Sequence, residues 1–282
     1  MSYTTLVSTQ ELAAQLGNPN WIVLDCRFTL TDPNGGRMAY EDGHIPGARY
    51  VHLDDDMASP GGSGGRHPLP DPKTLSAKLC RLGVGINRQV VVYDDSFGSM
   101  AVRMWWLLRW LGHPDVALLD GGFPKWQREK RPIAKEAPID LHTASCPSLP
   151  ERSMWVNATE VETALKDQNL RLIDARPDRR FTGDYEPLDP VAGHVPGAIN
   201  WPFEENLDFD GTFLAPEALR ENYQALLKGV APHQVIHMCG SGVTACHNIL
   251  AMEVAGLSGS RLYPGSWSEW ITDPKRPVAT GE

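Results

Sequence analysis

No stretch of about 18 consecutive apolar residues occurs in this 282-residue chain, so no membrane-spanning helix is expected. Basic residues are in deficit. Lys and Arg number 26 against 35 Asp and Glu, giving a formal charge of −9, which disfavours nucleic acid or an anionic membrane as a partner. The opening "MSYTTLVSTQELAAQL" lacks the basic and apolar regions of a secretory signal. Cysteine is sparse. The five, Cys26, Cys80, Cys146, Cys239 and Cys246, are scattered and do not form a disulfide framework. No paired Cys-x2-4-Cys knuckle exists. His237, Cys239, Cys246 and His247 follow the spacing His-x-Cys-x6-Cys-His, which is no zinc pattern, so neither metal nor cofactor is expected. Together these absences fit a soluble protein of a reducing compartment, the cytoplasm, that handles small molecules.

What the chain does have is an internal repeat. Asp25-x-Arg27 is echoed by Asp174-x-Arg176, 149 residues on, and Gly43-His44-Ile45-Pro46-Gly47-Ala48 by Gly193-His194-Val195-Pro196-Gly197-Ala198, 150 residues on. Continuing the alignment places Asp94 opposite Cys239 and Trp126 opposite Trp270. So long a period means duplicated domains and not a solenoid. The stretch "EAPIDLHTASCPSLPER", rich in Pro and Ser, reads as the connection, with an N-terminal domain over 1–136, a linker over 137–153 and a C-terminal domain over 154–282.

Short β-branched runs alternate with helical patterns in each half. Ile22–Leu24, Val90–Tyr93, Val116–Leu119, Leu172–Ile173, Val235–Met238 and Arg261–Tyr263 read as buried strands, and Val243–Leu257 as a helix. This alternation predicts two α/β domains, each a parallel sheet covered by helices on both faces. Because both Asp-x-Arg pairs and both Gly-His-x-Pro-Gly-Ala turns recur, Asp25, Arg27, Asp174, Arg176, His44 and His194 are assigned to architecture.

Chemistry is expected where the repeat breaks. Cys239 stands at the carboxyl end of a predicted strand, the edge at which parallel sheets bind ligands. Gly240, Ser241, Gly242, Val243 and Thr244 then turn into a helix. Such a turn aims successive N–H groups inward, and the helix start adds partial positive charge, so the loop favours an anion such as the cysteine's own thiolate. Cys246 falls on the apolar face of the helix and reads as inert packing. A phosphatase loop would need an arginine six residues after the cysteine, where this chain has Ala245. Persulfide chemistry needs the cradle without that arginine.

The duplicated Gly-His-x-Pro-Gly-Ala motif together with "CGSGVT" resembles the two-domain (tandem) rhodanese superfamily, and within it the 3-mercaptopyruvate sulfurtransferase branch. The resemblance implies a catalytically silent N-terminal domain, with Asp94 at the cysteine position, and a Cys239 persulfide in the C-terminal one. It implies a proton relay of Ser241, His67 and Asp54, with His67 and Asp54 supplied by the N-terminal domain, and it makes Arg180 the substrate ligand beside the Gly240–Thr244 loop. The uncharged Gly240-Ser241 pair points to mercaptopyruvate as donor and a thiol or cyanide as acceptor, a thioredoxin-like protein included, with pyruvate released. Thiosulfate is the alternative donor, and a non-catalytic sulfur- or anion-binding module the alternative class. One departure stands out: relatives of that branch carry a second arginine after Glu-Pro, whereas this chain reads Glu186-Pro187-Leu188, leaving Arg179 as a possible substitute.

Overall fold

The computed structural model describes residues 2–136, 138, 145–167 and 169–281. Two compact units form. The first comprises Met1–Ser59, Pro70–Glu151 and Asp208–Phe213; the second comprises Pro60–Leu69, Arg152–Leu207 and Leu214–Glu282. Each half of the chain thus contributes one short segment to the other half's unit. Of the expected linker, residues 137 and 139–144 lie outside the described residues, and the stretch from Ser145 to Glu151 belongs to the first unit.

The first unit is built on β1 (Leu6–Val7), β2 (Trp21–Asp25), β3 (Arg49–Tyr50), β4 (Gln89–Tyr93) and β5 (Val116–Leu119), all parallel, in the order β1-β5-β4-β2-β3. The second holds β6 (Arg171–Asp174), β7 (Ile199–Asn200), β8 (Val235–Met238) and β9 (Arg261–Leu262), also parallel, in the order β7-β6-β8-β9. Where β1 pairs with β5, the second unit has a lone bridge between Trp155 and Leu262. The six expected strands are all present. The two-residue edge strands β1, β3 and β7 are not among them, and β9, expected over Arg261–Tyr263, is itself a two-residue edge strand. Every residue of β4, β5 and β8 is buried, as strands covered on both faces must be.

The repeat extends to the cores. Trp126 and Trp270 are both fully buried, and each donates its indole N–H to a carbonyl a few residues on, that of Pro132 or of Pro277. In each unit the Asp-x-Arg pair is a buried ion pair at the strand end, with Nη2 to Oδ2 distances of 2.6 Å for Arg27–Asp25 and 2.8 Å for Arg176–Asp174. The same guanidinium donates to the carbonyl that opens the Gly-His turn, Gly43 or Gly193. The turn histidines stack on Tyr40 and Phe181 and engage the carbonyls of those residues. Deleting one partner of such a pair would strand a buried charge, at a cost of about 3–5 kcal/mol.

One expectation needs correcting. Cys80 and Cys146 form a disulfide, while Cys26, Cys239 and Cys246 are free. The two are 66 residues apart, a separation with no motif to announce it. Tertiary structure brings the Ser145–Cys146 part of the expected linker against the helix Pro72–Arg81 that carries Cys80, and the Ile86 amide donates to the Ser145 carbonyl.

Candidate active site

Cys239 follows β8 directly and is 3% exposed. Its loop rests on the turn after β9. The Cys239 amide donates to Ser266 Oγ at 3.1 Å, and the Cys239 and Gly240 carbonyls accept from the amides of Trp267 and Ser268. Ser266 adopts a left-handed φ of 52°, uncommon for a non-glycine residue, and its hydroxyl donates in turn to the Tyr263 carbonyl. Gly242 has φ 74°, and a Cβ there would sit 2.3 Å from the Pro264 carbonyl oxygen, so only glycine fits. Val243 is buried, Thr244 is half-buried, and the helix Ala245–Val254 begins immediately after. Cys246, fully buried in that helix, donates its thiol to the Gly242 carbonyl, as expected of a packing residue.

The corresponding loop of the first unit reveals what such a turn binds. Asp94 follows β4 and is fully buried. Its carboxylate accepts four backbone amides: Ser96 and Gly98 on Oδ1, Met100 and Ala101 on Oδ2, at 2.8–2.9 Å. Burial pushes this carboxyl above its ordinary range, and the four amides pull in the other direction, toward the charged form. Four donors converging on one anion form a nest of the kind expected at Gly240–Thr244, filled in this other loop by the chain's own side chain.

Around Cys239 the second unit assembles further groups. His67 Nδ1 lies 2.7 Å from Ser241 Oγ, with both residues buried. His67 arrives on the segment Pro60–Leu69, which the sequence repeat had assigned to the N-terminal domain and which belongs to the second unit. Gly62 and Gly65 exchange backbone hydrogen bonds there, and the Arg66 amide donates to Ser268 Oγ. Asp54 lies exposed on the short helix Leu53–Asp56 of the first unit.

Arg180 stands on the short helix Asp178–Thr182, held by Glu186 through Nε and by Asp189 through Nη2 at 3.0 Å. Burial pushes the Glu186 carboxyl up, but the Arg180 guanidinium and the amides of Leu188 and Asp189 outweigh it and hold the group below its ordinary range. Arg179 instead has its guanidinium over the Tyr185 ring. Sequence reasoning passed over Arg66. Its guanidinium pairs with Asp189 at 2.7 Å, and its only signal is its place beside His67 in a glycine-rich loop.

Two parallel sheets of matching strand order, each followed at its central strand by a glycine-containing turn into a helix, define a duplicated α/β protein of the rhodanese type. The chain belongs to the rhodanese family: the Rhodanese-like domain matches residues 8–129 and again 157–273. It is similar to the "Probable 3-mercaptopyruvate sulfurtransferase" of Pseudomonas aeruginosa, 47% identical over 285 residues and covering 100% of both chains. It is 40% identical over 287 residues to the "Putative thiosulfate sulfurtransferase SseB" of Mycobacterium tuberculosis, covering 98% of this chain and 97% of that one. Among solved structures, SseA of Escherichia coli, titled among 3-mercaptopyruvate sulfotransferases, superposes with a TM-score of 0.80 at 30% identity, covering 95% of this chain and all of that one.

Proposed function

We propose that this protein is a sulfurtransferase that takes sulfur from 3-mercaptopyruvate onto Cys239 and passes it to a thiol or to cyanide. The Cys239 thiolate attacks the donor sulfur. The carbon–sulfur bond breaks, its electrons leave as the enolate of pyruvate, and the proton from the donor thiol completes pyruvate. Cys239 is left as a persulfide anion. Attack by cyanide or by an acceptor thiolate, a thioredoxin-like protein among the candidates, then removes the outer sulfur and restores the Cys239 thiolate. This is two-step covalent catalysis by a cysteine.

The observation that carries this reading is the Cys239 loop. Its counterpart holds a carboxylate on four amides, and in the Cys239 loop a persulfide is the anion such amides would serve. Ser241 and His67, in hydrogen-bond contact, are proposed to move the proton, with Asp54 included on sequence grounds. Gly240, Gly242, Val243 and Thr244 supply the cradle, and Arg180 binds the keto-acid carboxylate. The first unit is proposed to be catalytically silent, its nest closed by Asp94. A cytoplasmic location belongs to the same proposal; among the described residues no helix is long and apolar enough to cross a membrane.

A second reading has its own support. Guanidinium groups beside Gly240 would also suit thiosulfate, the donor named for the Mycobacterium tuberculosis relative. The deciding experiment is kcat/KM for both donors on one preparation, beside Cys239→Ser. Mercaptopyruvate should give the higher value, and mass spectrometry should find one added sulfur, on Cys239. Higher efficiency with thiosulfate would overturn the donor assignment, and sulfur on Cys246 would overturn the nucleophile. Donor binding without turnover would leave an anion-binding module.

A further inference from the structure

We infer that the Cys80–Cys146 disulfide is a redox-responsive staple. A dithiol opens it and loosens the stretch Ser145–Glu151 from the rest of the first unit, and a small-molecule disulfide closes it again.

Three observations mark the bond as labile. First, accessibility divides the five cysteines. Cys26 and Cys246 are fully buried and Cys239 is 3% exposed, whereas Cys80 and Cys146 are only half-buried. Exchange requires a thiolate to touch a disulfide sulfur, and these two sulfurs belong to the cysteines that a reductant in solvent meets first. Cys26 is no rival inside the same unit, since burial pushes its thiol well above the ordinary range. Second, the stretch that carries Cys146 has little else to hold it. Cys146 lies in neither helix nor strand, Leu149 is 80% exposed, and Pro147 alone between Ser145 and Glu151 is buried. Backbone hydrogen bonds join it to its own unit at three points: the Ser145 carbonyl accepts from Ile86, the Leu149 amide donates to Leu111, and the Glu151 amide donates to Trp110. With so little apolar burial, the covalent bond supplies a large part of the hold. Third, the two cysteines are 66 residues apart, so the bond closes a long loop and removes much freedom from the unfolded chain. In the cytoplasmic location proposed above, a disulfide is ordinarily transient and redox-sensing.

The exchange balances without any group from the reacting centre. A dithiol thiolate attacks one of the two sulfurs, the bond between Cys80 and Cys146 breaks, and the displaced cysteine thiolate takes up a proton. The second thiol of the reductant, losing its proton, attacks the mixed disulfide. The reductant leaves as a cyclic disulfide, and the remaining cysteine departs as a thiolate and is protonated. Two electrons have passed from the dithiol to the protein. Closure reverses these steps, with a low-molecular-weight disulfide as oxidant.

The test treats the folded full-length chain with oxidised glutathione or with dithiothreitol, then quenches in acid. Mass spectrometry of an unreduced digest should find the peptides of Cys80 and Cys146 linked after glutathione and separate after dithiothreitol. Reduction should lower the urea midpoint by roughly 1 M. It should also speed proteinase K cleavage between Ser145 and Glu151, because a stretch freed from its unit opens more often. Cys80→Ser, which cannot form the bond, should unfold at the urea concentration of the reduced protein, with no further fall when dithiothreitol is added. Peptides that stay separate after glutathione would overturn the inference. So would a bond that survives dithiothreitol until the chain unfolds, since the staple would then be permanent. A urea midpoint that reduction leaves unmoved, or one that still falls on reduction in Cys80→Ser, would place the response elsewhere and overturn it as well.

Discussion

Gly242→Ala should separate backbone strain from steric conflict in the Cys239 loop. Gly242 has φ 74°, and holding an L-residue in that left-handed region costs roughly 1–2 kcal/mol. The new methyl would also lie 2.3 Å from the Pro264 oxygen and 2.8 Å from the Pro264 Cα and carbonyl carbon. These are backbone atoms and cannot rotate away, and crowding of this kind adds roughly 1–3 kcal/mol. The sum, about 2–5 kcal/mol, is a large share of the roughly 5–15 kcal/mol that holds a domain folded. Gly197→Ala supplies the control: φ is 83°, yet nothing lies within 4 Å of the added atom, so strain acts alone there. Pro264 leads into the turn whose Ser266, Trp267 and Ser268 hold the backbone of Cys239 and Gly240. A displaced turn therefore displaces the thiol, and misplacement by about 1 Å can lower turnover roughly a hundred-fold. Urea unfolding and the rate of pyruvate release from mercaptopyruvate are the assays. If Gly242→Ala unfolds at the same urea concentration as Gly197→Ala, with undiminished turnover, the reasoning about this contact is refuted.

Two further outcomes follow from groups outside the reacting centre. Asp94→Ala would leave four buried amides without their acceptor and should destabilise by about 3–5 kcal/mol, with Asp94→Asn falling between because it retains one carbonyl oxygen; a urea midpoint for Asp94→Ala equal to that of the unaltered protein would contradict this. His237, fully buried on β8 with Nε2 on Met252 Sδ, has its pKa lowered by burial to about 3. Below pH about 6.5 the unfolded chain takes up a proton that the folded chain refuses, so stability should fall with acidification at up to about 1.4 kcal/mol per pH unit down to about pH 3 and show no His237 dependence above 6.5. His237→Leu should remove that slope, and an equal slope in both proteins, followed by unfolding at each pH, would show that the histidine is not held neutral.

Sequence alone carried the features that repeat or alternate. Largely apolar runs mark β2, β4, β5, β6 and β8 because a strand buried on both faces must be apolar over most of its length, and that requirement is local. The Asp-x-Arg and Gly-His-x-Pro-Gly-Ala echoes exposed the duplication, and the break in it, Cys239 against Asp94, singled out the proposed nucleophile. Of the relay of Ser241, His67 and Asp54 that came from resemblance, His67 Nδ1 stands 2.7 Å from Ser241 Oγ, while Asp54 is exposed in the first unit. Other features required the tertiary structure. The segments Pro60–Leu69 and Asp208–Phe213 each join the unit built by the other half, an outcome set by close approaches such as Gly65 to Gly265 that no periodicity encodes. The Cys80–Cys146 disulfide is likewise a meeting of residues with no shared motif. Arg66 and Arg179 are indistinguishable as letters, each a charge in a polar stretch. Only folding sets one guanidinium over Tyr185 and the other on Asp189 above Gly240, because the difference lies in which buried carboxylate the chain brings within reach.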